Sequence, residues 1–362
     1  MYDVDLAAVT LIGQKHRQRG VPCEDASLAV SRNCVYCVVV ADGAGSKQYT
    51  HARFGSQGAV EAISKLLTEH FDALYNENRE AAVRSTIIAA LHIKFAALIE
   101  EHKLDSIERL SCTLLFCAIK DRRMLVGHIG DGLIVKITSS GVSPLTMPQN
   151  GANASSTYFV TAAHAADYLR LLKTTIDDVH AIALMTDGVQ DSVYDENSGL
   201  VKPVVARMAE TLSAGRQKGE AEIRNIIEKY VVESSNNSDD ASFGALYISG
   251  TKAPDSRSLP TAADAFPRNA ETFKDLQNIM VPEVKKARKI MIEAAANAPV
   301  GGIKEDETRP RKNGENESAA PENNYKQVQV RPVIKKSSIV LTIIAIIETI
   351  LIVLLLIKIH GA

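Results

Sequence analysis

Cys37 to Ser46 reads CVVVADGAGS. Apolar, mostly β-branched residues run straight into Asp42-Gly43, the pattern of a buried strand that delivers a carboxylate and a pliant backbone to the edge of a sheet. Taken alone, Asp-Gly after a strand is ordinary turn chemistry. Recurrence changes its weight. Ala181 to Met185 ends in Thr186-Asp187-Gly188, and Gly130-Asp131-Gly132 separates the strand-like runs MLVGHI and LIVKI. Glu24-Asp25 precedes the strand pattern Ala26 to Val30, and Asp239-Asp240 precedes Phe243 to Ser249.

Between these acidic strand ends the chain alternates its periodicity. Leu6 to Ile12 reads as a first strand, followed by a basic loop over Gln14 to Gly20. Phe54 to Phe71 and Arg79 to His102 carry apolar residues at helical spacing and read as two long amphipathic helices. From Ser111 the period is two, and the turns at Lys120 to Arg123 and at Gly130-Asp131-Gly132 predict an antiparallel meander. Ser139 to Tyr158 reads as a long polar loop, and helical patterns follow at Leu200 to Leu212 and Glu220 to Val232.

Composition sets outer bounds. The 362 residues carry a formal net charge of −2, so no broad basic field for nucleic acid is expected. Five cysteines, an odd number with no secretory pattern at the N-terminus, read as reduced thiols of a cytosolic compartment. Cys34 and Cys37 form a CxxC, but no second pair of soft ligands stands near it in the sequence, and a strand core explains it better than zinc.

The chemistry lies in the carboxylates. If Glu24, Asp25, Asp42, Asp131, Asp187, Asp239 and Asp240 converge at one end of a sandwich, they cannot all stay ionised without cations. An oxygen-only donor set selects hard ions, Mg²⁺ or Mn²⁺. Two such ions about 4 Å apart activate water and neutralise a phosphoryl oxygen, which is phosphoester-hydrolysis chemistry.

The same residues carry a resemblance. EDA at Glu24 to Ala26, VVVADGAG at Val38 to Gly45, SCTLL at Ser111 to Leu115, GHIGDG at Gly127 to Gly132, ALMTDGV at Ala183 to Val189 and SDDASF at Ser238 to Phe243 resemble, in order and spacing, the motifs of the PP2C metal-dependent protein phosphatases. The resemblance implies an α+β fold, two antiparallel sheets packed face to face between helix layers, over residues 1–250. It implies hydrolysis of phosphoserine and phosphothreonine in proteins, with two Mn²⁺ or Mg²⁺ ions and a looser third. By position, Asp42 resembles the aspartate bridging both ions and Gly43 the residue offering its carbonyl. Asp187 and Asp239 resemble the other direct ligands of the first ion. Glu24 and Asp25 match the acidic pair that reaches the second ion through waters, and Asp131 matches the aspartate of the third. Asp240 stands where the family usually has Asn and is the second choice after Asp239.

Two positions depart from the pattern. Ala44 stands where many members place a His proposed as general acid, and Gly20 where the phosphate-binding Arg is expected. Arg17 or Arg19 is the candidate guanidinium, and His16 the candidate proton donor. The loop GQKHRQRGVPCED resembles the variant motif of a bacterial subgroup. A partner Ser/Thr kinase is implied. The alternative is a catalytically degenerate phosphatase fold acting as a phosphoprotein-binding or membrane scaffold.

Residues 251–337 read as a linker, with a helical segment over Ala270 to Ala298 interrupted near Pro282 and a disordered tether over Val300 to Asn324. Ile339 to Ile357 is a nearly unbroken apolar run, so a transmembrane helix is expected over 338–359. Arg331, Lys335 and Lys336 precede it, which places the catalytic domain in the cytoplasm as a C-terminally anchored protein. Glu348 sits mid-span and hints at helix association.

Overall fold

A computed structural model describes residues 3–149, 157–233, 239–250 and 271–298. The tether over Val300 to Asn324 and the apolar run over Ile339 to Ile357 lie outside the described residues. The strands and helices below fall within one compact unit, Met1–Asn297.

Two five-stranded antiparallel sheets form the centre. The first joins β1 (Asp3–Leu11), β12 (Ala241–Ser249), β9 (Ala181–Met185), β6 (Leu133–Thr138) and β7 (Gly141–Thr146) in that order. The second joins β2 (Ala26–Arg32), β3 (Val35–Ala41), β4 (Leu114–Lys120), β5 (Arg123–Ile129) and β8 (Arg170–Thr175). A two-residue pair, β10 (Tyr194–Asp195) and β11 (Leu200–Val201), stands apart.

The alternation of β3 explains the layers. Val38 and Val40 face the other sheet with Leu115, Ile134, Leu184 and Leu246. Cys37, Val39 and Ala41 point the opposite way, into a core shared with the long helices α2 (Ala52–Asn76) and α3 (Glu80–His102). The one-turn α4 (Ala165–Tyr168) adds Ala165 to that core, and on the far face β9 and β12 pack against α5 (Asp187–Val193), α6 (Val204–Glu210) and α7 (Arg216–Ile227). Both faces of the central strands β3, β4, β9 and β12 are therefore dry, and each fully buried Val or Leu contributes about 1.5–3 kcal/mol of transfer free energy. The α+β sandwich between helix layers stands as expected.

Register brings the acidic strand ends to one edge. Ala26 pairs with Ala41, Leu114 with Ile129, Leu133 with Met185, Phe243 with Met185 and Leu11 with Ala241. The acidic residues before β2 and β12, after β3, β5 and β9, all lie beyond these pairs at the same end.

Several local expectations change. Gln14–Arg19 is a short helix, α1, rather than a loop. Gly130-Asp131-Gly132 is not a hairpin: β5 and β6 belong to different sheets, so this corner crosses the sandwich. Six residues of the expected Ser139 to Tyr158 loop form strand β7, and residues 150–156 lie outside the described residues. The CxxC is split by the β2–β3 turn, where Asn33 and Cys34 take φ of 53° and 60°; Cys34 is exposed, Cys37 buried, and both are free thiols. The segment placed in the linker forms α8 (Phe273–Ala296), continuous through an exposed Pro282 and opened by a Thr272–Asp275 capping box. Phe273 and Leu276 join the α2–α3 core, so the compact unit extends past Gly250. Among the described residues, α3 is long and apolar enough to cross a membrane, but its apolar face is core.

Candidate metal centre

Asp42 is held by its backbone. Its N–H donates to Thr113 Oγ1 at 2.9 Å, its carbonyl accepts from Thr113 N at 2.8 Å, and Gly43 bridges to Cys112. The SCT triplet therefore continues the β3–β4 ladder past its regular end and presents Asp42 where strand parity turns it toward the space between the sheets. Gly43 must be glycine here, because a Cβ would lie 2.5 Å from the Glu24 carbonyl oxygen. At Gly188, next to Asp187, a Cβ would collide with the Asp240 carbonyl. Each Asp-Gly thus lets an acidic strand end close on a neighbouring acidic segment.

Beneath the carboxylates lies a lattice of hydroxyls. Thr10 Oγ1 is 2.7 Å from both Ser27 Oγ and Ser242 Oγ, joining the two sheets. Thr186 Oγ1 accepts from Ser242 N at 2.9 Å and donates to Asp25 Oδ2 at 2.8 Å.

The carboxylates above this floor are uncompensated. Asp25 is 4% exposed, and burial pushes its pKa up to about 7 while hydrogen bonds to Asp42 and Thr186 pull it back. Burial, then the neighbouring carboxylates, hold Asp42 and Asp187 well above the usual range. Burial likewise raises Asp131 and Glu24, with His16 opposing the shift at Glu24. Asp25 Oδ1 and Asp131 Oδ1 are buried without a hydrogen-bond partner among the described residues. Asp25 and Asp42 lie close enough that each carboxyl shifts the other. Among the described residues no three acidic, His or Cys groups are already arranged as a ligand set. Converging carboxylates with raised pKa values and orphaned oxygens fit hard divalent cations.

Asp240 does something else. Its Oδ1 accepts from Gly13 N at 2.7 Å, and its Oδ2 from Glu24 N at 2.6 Å and His16 Nδ1 at 2.8 Å. With three donors on a carboxylate 3% exposed, it frames the segment from Gly13 to Glu24. Asp239, half exposed, lies 3.7 Å from Lys15 Nζ and stays open at the rim. His16 donates through Nδ1, so its Nε2 faces Glu24 Oε2 at 3.9 Å and Asp239 Oδ1 at 4.0 Å. The arginines differ from the expectation. Arg17 forms a bidentate pair with Glu228 at 2.7 and 2.9 Å, and Arg19 is exposed. Neither contacts the acidic cluster.

One acid escaped the sequence reading. Asp191 lies four residues after Asp187 on α5, hence on the same helix face, and its charge raises both Asp187 and Asp131. The i, i+4 spacing was the available signal.

The four-layer sandwich thus carries an acidic edge whose oxygen donors suit hard divalent cations. Residues 12–228 match the sequence profile of the family described as protein phosphatase 2C. Serine/threonine-protein phosphatase 3 of Escherichia coli K12 is 26% identical over 193 residues, 51% of this chain and 73% of that protein. The crystal structure of a bacterial serine phosphatase superposes with a TM-score of 0.50 at 14% identity, covering 69% of this chain and all of that one, a likeness of fold. The catalytic domain of the serine/threonine phosphatase PstP, crystallised with two manganese ions, has a TM-score of 0.45 at 15% identity and covers 68% of this chain and 99% of that one. The chain belongs to the protein phosphatase 2C family. It is a metal-dependent protein serine/threonine phosphatase.

Proposed function

We propose that the acidic edge holds two Mn²⁺ or Mg²⁺ ions, and a looser third, and that phosphoseryl and phosphothreonyl proteins are hydrolysed there. The carrying observation is the orphaned Asp25 and Asp131 oxygens among buried carboxylates, Asp25, Asp42, Asp131 and Asp187, that meet no Lys or Arg among the described residues. Asp42, Asp187 and Asp239, with the Gly43 carbonyl, would hold the first ion, and Glu24 and Asp25 with Asp42 the second. Asp131 would hold the third. Bound there, the ions would neutralise charge at the phosphoryl oxygens and acidify a water.

The chain's own residues do the rest. Asp240 keeps the His16 proton on Nδ1, so a second proton on Nε2 is free to pass to the departing seryl oxygen. This supplies the acid that Ala44 lacks. Arg19, three residues after His16, shares its face of α1, whereas Arg17 is turned toward Glu228. Arg19 is therefore the guanidinium that meets the phosphate. The scaffold alternative is not favoured, since a dead site has no need to keep this repulsion.

A Ser/Thr kinase places the phosphates that this enzyme removes. The run over Ile339 to Ile357 anchors the protein by its C-terminal segment with the catalytic unit in the cytoplasm, a reading supported by its length and preceding basic flank. Truncation before Ile339 releases the protein from membranes; recovery of the truncated form in the membrane pellet contradicts this. For the activity, the full chain is assayed on a phosphoseryl peptide with Mn²⁺, Mg²⁺ or chelator. Turnover requires the ion, and turnover that ignores chelation overturns the metal reading.

A further inference from the structure

The Gly130-Asp131-Gly132 corner leaves one sheet at Ile129 and enters the other at Leu133, so Gly130, at φ +119°, has no ladder partner. Its backbone groups are nevertheless satisfied. Gly130 N donates to Gln149 Oε1 at 3.2 Å, and Gly130 O accepts from Gln149 N at 2.8 Å and from His128 Nε2 at 3.0 Å. Gln149 is itself anchored, donating through Nε2 to the Tyr168 carbonyl at 3.0 Å.

His128 is completely buried, and its tautomer is determined by its neighbours. Arg170 Nη2 donates to Nδ1 at 3.0 Å, and Thr146 Oγ1 lies 2.7 Å from the same nitrogen. Arginine does not give up its proton, so Nδ1 accepts and Nε2 carries the hydrogen that reaches Gly130 O. Burial, then the Arg170 charge, lower the imidazole pKa to about 3, which keeps it neutral. Arg170 faces His128 across the β5–β8 ladder, and Thr146 ends β7 in the other sheet. Three strands from both sheets thus converge on one peptide. Asp131 follows it directly, with its unpartnered Oδ1, and the Thr157 side chain hydrogen-bonds to its carboxylate.

We propose that Gln149 and His128 are positioning residues for Asp131: by holding Gly130 they fix the carboxylate toward the acidic edge and set its affinity for a divalent cation. The proposal rests on the reading that this edge binds such ions. Partners that orient a metal-ligating side chain typically govern 10–100-fold of metal affinity, about that range being expected here.

The test is isothermal titration calorimetry of the metal-stripped full chain with Mn²⁺. Asp131→Asn removes the weakest binding step. Gln149→Ala, at a half-buried position, weakens that same step about tenfold and leaves the tighter steps within about twofold. An unchanged weakest step in Gln149→Ala overturns the proposal, as does equal weakening of every step, which marks a merely structural role. If Asp131→Asn alters nothing while Asp42→Asn removes tight binding, the proposal falls and the metal reading stands. If neither substitution alters Mn²⁺ binding, the metal reading itself falls.

Discussion

An acid stands at each extremity of the strand pair β3–β4, Asp42 at one and Asp72 of α2 at the other, and the two are built in opposite ways. At the far end, Asp72 meets Lys120 Nζ and Arg123 Nη2, the latter at 2.7 Å, while Arg123 also lies over the rings of Phe71 and Tyr75 at 5.4 and 5.5 Å. Burial there pushes the Asp72 pKa up, but the hydrogen bonds from Lys120 and Arg123 outweigh it and leave the carboxylate below its usual range. At the near end, the described neighbours of the Asp42 and Asp25 carboxyls are hydroxyls and other acids, and burial raises both. Where an acid serves the fold, the chain supplies its cation. Where it serves chemistry, the cation comes from solution.

The largest break in this contrast comes from Asp42→Asn. Removing a metal ligand lowers turnover by about a hundredfold or more. The same change relieves a buried, repelled carboxylate, so the metal-free protein melts no lower than wild type. A scan in chelator beside an assay in Mn²⁺ reads both, and a large loss of metal-free stability would tie Asp42 to the fold instead.

Asp240→Asn sharpens the near end. The amide cannot fix the Nδ1 proton of His16 as the carboxylate does, so kcat falls about tenfold to a hundredfold with KM little changed. Steady-state kinetics that show the loss in KM alone would remove His16 from proton transfer. The smallest effect belongs to the far end. Asp72→Asn costs about 1 kcal/mol, or about 2–4 °C in Tm, and leaves Mn²⁺ affinity unaltered. A weakened Mn²⁺ titration in that variant would erase the distinction between the ends.

Much of this was legible in the chain. Strands run into Asp-Gly twice, and the alternation of Val38, Val39 and Val40 between two cores is the period of β structure read directly. What escaped is long-range. Gly-Asp-Gly has the local chemistry of a hairpin turn, and nothing local states that β6 joins the other sheet. Arg17 finds Glu228, and Asp240 finds Gly13 and His16, across more than 200 residues brought together by the β1–β12 ladder. Six polar residues at Gln14–Arg19 lack apolar periodicity, so α1 had no helical signature; its one buried side chain is His16. The α8 segment carried its stripe visibly, but nothing local states that this stripe docks on the α2–α3 core.

The most direct measurement is the Tm of the full chain from pH 5 to 8, in chelator and in Mn²⁺. Carboxylates with raised folded pKa values stabilise the fold fully below their unfolded pKa, and that stability is lost as pH rises through the folded value, about 7 for Asp25. Asp72, with a lowered folded pKa, makes its contribution above the unfolded value and contributes no slope in this window. The uncompensated cluster therefore predicts a Tm that falls by several degrees with rising pH in chelator and a profile that flattens in Mn²⁺, where ions replace the protons. A chelated profile that is flat or rises with pH would contradict it.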